Sequence, residues 1–153
     1  MTHAGHGTAS TNQLAFQATI HCLTGCGIGE VLGLGAGTAL GLSNAVTLVL
    51  GIVLAYAFGY GLTLVPLVGA GMPVLRATGI TFAAETLSIT TMEIVDNVVV
   101  LAIPGAMDAG LADVLFWASL AVSLALAFVA AFPVNRWLIA RGLGHAVVQG
   151  AHS

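Results

Sequence analysis

Residues 21–41 read HCLTGCGIGEVLGLGAGTALG, and two incompatible readings compete for them. The run GLGAG at 33–37 has the look of a dinucleotide-binding loop. Such a loop needs a strand before it and a helix after it within a βαβ unit. Here the flanks are continuous apolar sequence with neither. Gly25, Gly29, Gly33, Gly37 and Gly41 instead recur every four residues, which puts them on one side of an α-helix. A small stripe of this kind lets a second helix backbone approach closely. The stretch is therefore predicted to be a long packing helix that cradles no phosphate.

The surroundings set the class. The chain has 153 residues, 58% hydrophobic and only 6% charged, with a mean hydropathy of +1.04. Soluble domains carry roughly 25% charged residues, so water cannot solvate most of this surface. The basic residues are Arg76, Arg136 and Arg141 alone, which excludes a basic nucleic-acid-binding face. The N-terminal MTHAGHGTASTNQ is polar and lacks the positive n-region of a secretory signal. The predicted fold class is all-α, an integral membrane bundle of four transmembrane helices.

A span takes about 20 mostly apolar residues. The expected spans cover about 14–40, 43–68, 75–103 and 112–132, with Ser43 or Asn44 capping the second. Residues 1–13 form a polar tail containing His3 and His6. Pro133 is expected to stop the fourth span and leave residues 133–153 as an interfacial segment and tail, containing His145 and His152. Trp117 and Trp137 are separated by about 30 Å of helix, matching the two interfaces that tryptophan prefers. With four spans, all three arginines fall on the side of the termini, and Asp108 and Asp113 fall opposite. The positive-inside rule then puts both termini in the cytoplasm of a bacterial inner membrane. Ser119, Ser123, Ala127 and Ala131 form a second small stripe, which makes the first and fourth helices expected neighbours.

Chemistry concentrates on two helices. Cys22, Cys26 and Glu30 stand at i, i+4 and i+8 beside the glycine stripe, with His21 at its head. On the third helix, Thr78, Thr81, Glu85, Ser88, Met92 and Asp96 lie within roughly 80° of one another on a 3.6-residue wheel. Thr86, Thr90, Glu93 and Asn97 form an adjacent stripe. Helices one and three run in the same direction, so counting inward brings Cys22 level with Glu85, and Glu30 level with Met92 and Glu93. An ionised carboxylate at the membrane centre costs about 3 kcal/mol or more. Glu30, Glu85, Glu93 and Asp96 share span interiors that hold no lysine or arginine. Such acids must be protonated, hydrated in a cavity, or neutralised by a cation.

Packing explanations exist for some of these residues. A buried cysteine can be a small hydrophobe, His21 can bond a carbonyl, and Met92 can fill a gap. Threonines and serines in helices bond back to their own backbone, and Tyr56 and Tyr60 read as packing residues with tethered hydroxyls. The acids have no comparable explanation. Thiolate and thioether select Cu(I), imidazole with thiolate also suits zinc, and carboxylates alone suit harder ions. The expected metal site is His21, Cys22, Cys26, Met92, Glu30, Glu85, Glu93 and Asp96, with Cu(I) favoured and zinc second.

HCLTGCGIGE followed by ETLSITTMEIVDN resembles a family of small bacterial four-helix membrane proteins known as a domain of unknown function. The resemblance runs from about Thr19 to Arg141. It implies the four-helix architecture and a loose link to heavy-metal handling. The family's histidine and cysteines would fall on His21, Cys22 and Cys26, and its acids on Glu30, Glu85, Glu93 and Asp96.

The function expected is a membrane metal-binding protein for transport of, or resistance to, a thiophilic cation. Its partners would be the metal ion, protons and the lipid bilayer, in a homo-oligomer, because four helices are few for a complete pathway. Two alternatives stand beside it: a thiol oxidoreductase using Cys22 and Cys26, and a proton-coupled exporter of small cations using the acids. Thiols at i, i+4 have Cβ atoms about 5–6 Å apart where a disulfide wants about 3.8 Å, which weighs against the first. A structural subunit without chemistry would leave the acids unexplained.

Overall fold

The computed structural model describes residues 9–143; the histidines at positions 3, 6, 145 and 152 lie outside them. Four α-helices follow one another, α1 (Thr11–Ala39), α2 (Asn44–Gly69), α3 (Val74–Ala102) and α4 (Val114–Ala140), with a short 3-10 turn at Ala106–Asp108. Each neighbour in sequence is a neighbour in space, and α4 closes the bundle against α1. α1 and α3 also touch across its middle. The expected four-helix bundle is what forms.

The helix ends follow local chemistry. Ser10 caps α1 in a reciprocal capping box with Gln13, and the Ser43 side chain accepts from Val46 N at the start of α2. α1 ends as its pattern requires. Leu42 N bonds Gly37 O and Gly41 N bonds Thr38 O, with Gly41 at φ 63°. This left-handed reversal is one a side chain disfavours. Gly71 turns the end of α2 in the same way.

α1, α2 and α4 are long and apolar enough to cross a membrane, which suggests a membrane protein. α3 matches α1 in length, at 29 residues each, and its outer face carries large apolar side chains. Leu87, Ile94, Val98 and Leu101 are all exposed there. Thr81, Glu85, Ser88, Glu93 and Asp96 point inward instead and are buried, with Met92 among them.

α4 lies against α1 as expected, with Ala127 and Ala131 in the cluster of Cys22 and Cys26, but the glycine stripe of α1 packs on α2. A Cβ on Gly25 would sit 2.7 Å from Gly59 Cα, and one on Gly33 2.5 Å from Gly51 Cα. One on Gly29 would overlap the Ala55 backbone. α2 answers with its own small row at the same spacing, Thr47, Gly51, Ala55, Gly59 and Thr63, all buried.

Pro133 does not stop α4, which continues to Ala140. Proline removes one hydrogen bond and crowds the preceding turn, but the extra turns gain contacts with α1. Asn135 Nδ2 donates to Thr19 Oγ1 at 3.0 Å in the buried interior. Ile139 packs with Ala15 and Ala18, and Arg136 Nε donates to Asn12 Oδ1 at 2.7 Å.

Candidate functional site along the α1–α3 seam

Where α1 faces α3 the bundle is filled by polar side chains in a ladder. The first rung joins α1, α2 and α3. Cys22 Sγ donates to Glu85 Oε2 at 2.9 Å, and Thr63 Oγ1 donates to Glu85 Oε1 at 2.6 Å. Thr63 Oγ1 also meets His21 Nε2 at 2.9 Å. A hydroxyl has one proton, so with that proton on Glu85 the Thr63 oxygen accepts from an Nε2–H of His21. The imidazole nitrogen stands 3.9 Å from Glu85 Oε1. Cys22 and Glu85 are fully buried, whereas the His21 side chain is 31% exposed. The rung thus runs from a buried thiol to a partly open imidazole.

The second rung is sulfur. Cys22, Cys26 and Met92 belong to one buried cluster with Ala55, Ile89, Ala127 and Ala131. Both cysteines are free thiols. Cys26 faces Glu93 and Glu30.

The third rung is carboxylate. Glu30 faces Asp96 and Glu93. Asn97 Nδ2 donates to Glu93 O at 2.7 Å and stands 3.4 Å from Glu93 Oε2, which orients that side chain. Glu30 Oε1, Glu93 Oε1 and Asp96 Oδ1 are buried without a hydrogen-bond partner among the described residues. All three acids border one cavity of about 80 Å³. The cavity reaches from the seam to Ala106 and Met107 of the 3-10 turn and to Phe116 at the start of α4.

The predicted site residues therefore meet along one seam, in register with the depth expected from sequence, but they form no single cage. Among the described residues no three His, Cys, Asp or Glu side chains gather closely enough to hold a metal ion as they stand. His21 is engaged by Thr63.

Thr63 was not foreseen, although Tyr56, Tyr60 and Thr63 at i, i+4 and i+7 trace a polar stripe. All three reach α3: Tyr56 OH meets Thr90 Oγ1 at 2.5 Å, Tyr60 OH meets Thr86 Oγ1 at 2.7 Å, and Thr63 meets Glu85. The tethered-hydroxyl reading of the tyrosines holds. So does back-bonding of the α3 threonines, with Thr86 on Phe82 O and Thr90 on Thr86 O.

The conserved-domain model for DUF4396, a domain of unknown function, matches residues 11–144. The chain belongs to that family. Its boundaries enclose all four helices and the whole seam. No curated protein and no solved structure matches the chain.

Proposed function

We propose that the protein is a membrane cation handler that takes up a thiophilic metal, Cu(I) in preference to zinc, at Cys22, Cys26 and Met92, for transport or resistance. One observation carries this reading: the two thiols and the thioether share one fully buried cluster with carboxylates directly against it. Sulfur donors suit Cu(I). Zinc would call on His21 as well, and that ring is held by Thr63.

Thiolate rather than thiol binds metal, so each Cys–S–metal bond that forms releases one proton. Glu85 already accepts the Cys22 S–H and can receive that proton as the metal takes its place. Thr63 then offers a relay when His21 is in the tautomer with Nε2 unprotonated: the Thr63 oxygen takes the Glu85 proton while its own hydroxyl proton passes to Nε2. The same path run backwards reloads the thiol when metal leaves. Glu93, beside Cys26, would take the second proton.

The reading puts the protein in a bacterial cytoplasmic membrane with both termini inside. Arg136 bonded to Asn12 at one end of the bundle, and Asp108 bonded to Asn44 at the other, support that polarity of charge. A homo-oligomer would complete a path across the membrane.

The test is Cu(I) titration of the detergent-purified, reduced protein against a chromophoric chelator, with proton release followed in weak buffer. Wild type should bind one Cu(I) per chain. Cys22→Ser and Cys26→Ser should each lose more affinity than the about 10–100-fold typical of outer-shell changes, and Met92→Leu less than either. No uptake of Cu(I) or Zn(II) by reduced wild type would overturn the reading. A disulfide forming under mild oxidant would turn it toward thiol redox chemistry. Export of small organic cations that survives both cysteine changes would turn it toward a proton-coupled exporter.

A further inference from the structure

The carboxylate rung is not needed to bind a soft ion, yet it is the part of the seam with open space and unsatisfied oxygens. Glu93 and Asp96 are 5% and 4% exposed, each has a buried oxygen without a partner, and both border the cavity that Glu30 also borders. Asn97 adds an amide to the same wall. No basic side chain among the described residues lines this cavity. Its volume, about 80 Å³, holds more than one water, since a single water needs about 10–15 Å³ of such space.

From these observations we infer a second site, distinct from the sulfur cluster: the Glu30–Glu93–Asp96 chamber binds a hard, oxygen-seeking divalent cation that keeps part of its water shell. The inference rests on the reading of the seam as a cation path.

Donor chemistry selects the class, because carboxylate, amide and water oxygens suit Mg²⁺, Ca²⁺ and Mn²⁺ where thiolate does not. Retained water follows from the spacing. The acids border one cavity without converging into a cage, and Mg²⁺ is commonly held by one or two carboxylates with its remaining ligands water. The unsatisfied oxygens would bond those waters, and the cation would offset charge that no arginine reaches. The soft ion and the hard ion would then occupy adjacent rungs, with Cys26 facing both the sulfur cluster and Glu93.

Mn²⁺ alone is the probe, because its paramagnetism reports both occupancy and bound water. It is titrated into the full-length purified protein under reducing conditions and followed by electron paramagnetic resonance and water-proton relaxation. One saturable Mn²⁺ per chain is expected, with enhanced relaxation showing coordinated water and with displacement by Mg²⁺. Glu93→Gln and Asp96→Asn keep size and shape and should each weaken Mn²⁺ at least about ten-fold. Cys22→Ser, whose thiol bonds Glu85 rather than the chamber, should leave Mn²⁺ binding as in wild type.

Absence of saturable Mn²⁺ in wild type would overturn the inference and leave the acids as proton carriers. So would Mn²⁺ binding that survives both acid variants. Displacement of Mn²⁺ by one equivalent of Cu(I) would show a single mixed site instead of two. The first two outcomes are independent of whether Cu(I) binds the cysteines, which the titration above measures separately.

Discussion

Helix α1 presents two faces built on the same four-residue spacing, and they could hardly be packed more differently. Toward α2, Gly25, Gly29 and Gly33 bring backbone against backbone, with no room for even a methyl group. Toward α3, one step around the helix, Cys22, Cys26 and Glu30 hold the helices apart on polar side chains, and part of the gap stays open. The first face gains dispersion contacts wherever two backbones touch, which is what holds helices together when lipid is as apolar as the side chains. The second leaves buried oxygens without partners, which costs free energy wherever it occurs. A rigid face thus carries a strained one, an arrangement expected of a functional seam and not of a packing core.

Breaking the rigid face should have the largest effect. Gly29→Ala places a methyl inside the Ala55 backbone, and neither helix can yield without separating along its length. The expected cost is about 3 kcal/mol or more, at the upper end for overpacking. It would be read as a fall in the thermal unfolding midpoint in detergent. An unchanged midpoint would mean that α1 and α2 are not in this contact.

The strained face should respond in the opposite direction. Glu93→Met keeps length and volume while removing a buried oxygen that has no partner. Apolar replacement of unsatisfied polar groups is neutral or stabilising, by about 1–3 kcal/mol, so the midpoint should rise while Mn²⁺ binding is lost. A substantial fall would show that Glu93 contributes to stability and that the seam is structural.

The contrast between the faces also explains what could be read from sequence. Helix periodicity and the i, i+4, i+8 ladder of Cys22, Cys26 and Glu30 are local properties, and depth counting along two parallel helices was enough to pair Cys22 with Glu85. Which helix receives the glycine stripe is not local. Both α2 and α4 carry small residues every four positions, Thr47 to Thr63 on one and Ser119 to Ala131 on the other. The choice of α2 depends on glycine against glycine, Gly25 on Gly59 and Gly33 on Gly51, where α4 offers only serine and alanine.

Pro133 misled for a related reason. Its local cost is visible in the sequence, but its offset comes from Asn135 and Ile139 meeting Thr19, Ala15 and Ala18 more than a hundred residues away. Thr63 escaped notice because a threonine on a helix ordinarily bonds its own backbone, and only the arrival of Glu85 from α3 redirects it.

A third glycine calibrates the rigid face. Gly27 lies on α1 away from the stripe, and a Cβ there would meet Leu124 Cδ1 at 3.5 Å, an ordinary contact. Alanine is favoured over glycine in a helix interior by about 0.5–1 kcal/mol, so Gly27→Ala should raise the midpoint by a degree of that order. Destabilisation instead would mean that glycine is intolerant of change throughout α1, and the contrast with Gly29 would lose its force.

The smallest effect expected is at the boundary between the two faces, where α2 meets α3 through hydroxyl pairs. Tyr60→Phe removes the 2.7 Å contact with Thr86 Oγ1. Thr86 is not left unsatisfied, because its hydroxyl already donates to Phe82 O at 2.7 Å. The ring itself still packs edge-on against Tyr56. What is lost is one hydrogen bond without an orphaned donor, at the low end of the about 0.5–1.5 kcal/mol usual for such bonds. Cu(I) affinity should be unmoved, since Tyr60 lies a full turn from Thr63 and its pair with Thr86 bypasses Glu85. If Tyr60→Phe weakened Cu(I) as strongly as Cys22→Ser, the hydroxyl stripe of α2 would belong to the metal path, and the division of α1 into one face for packing and one for chemistry would extend to α2 as well.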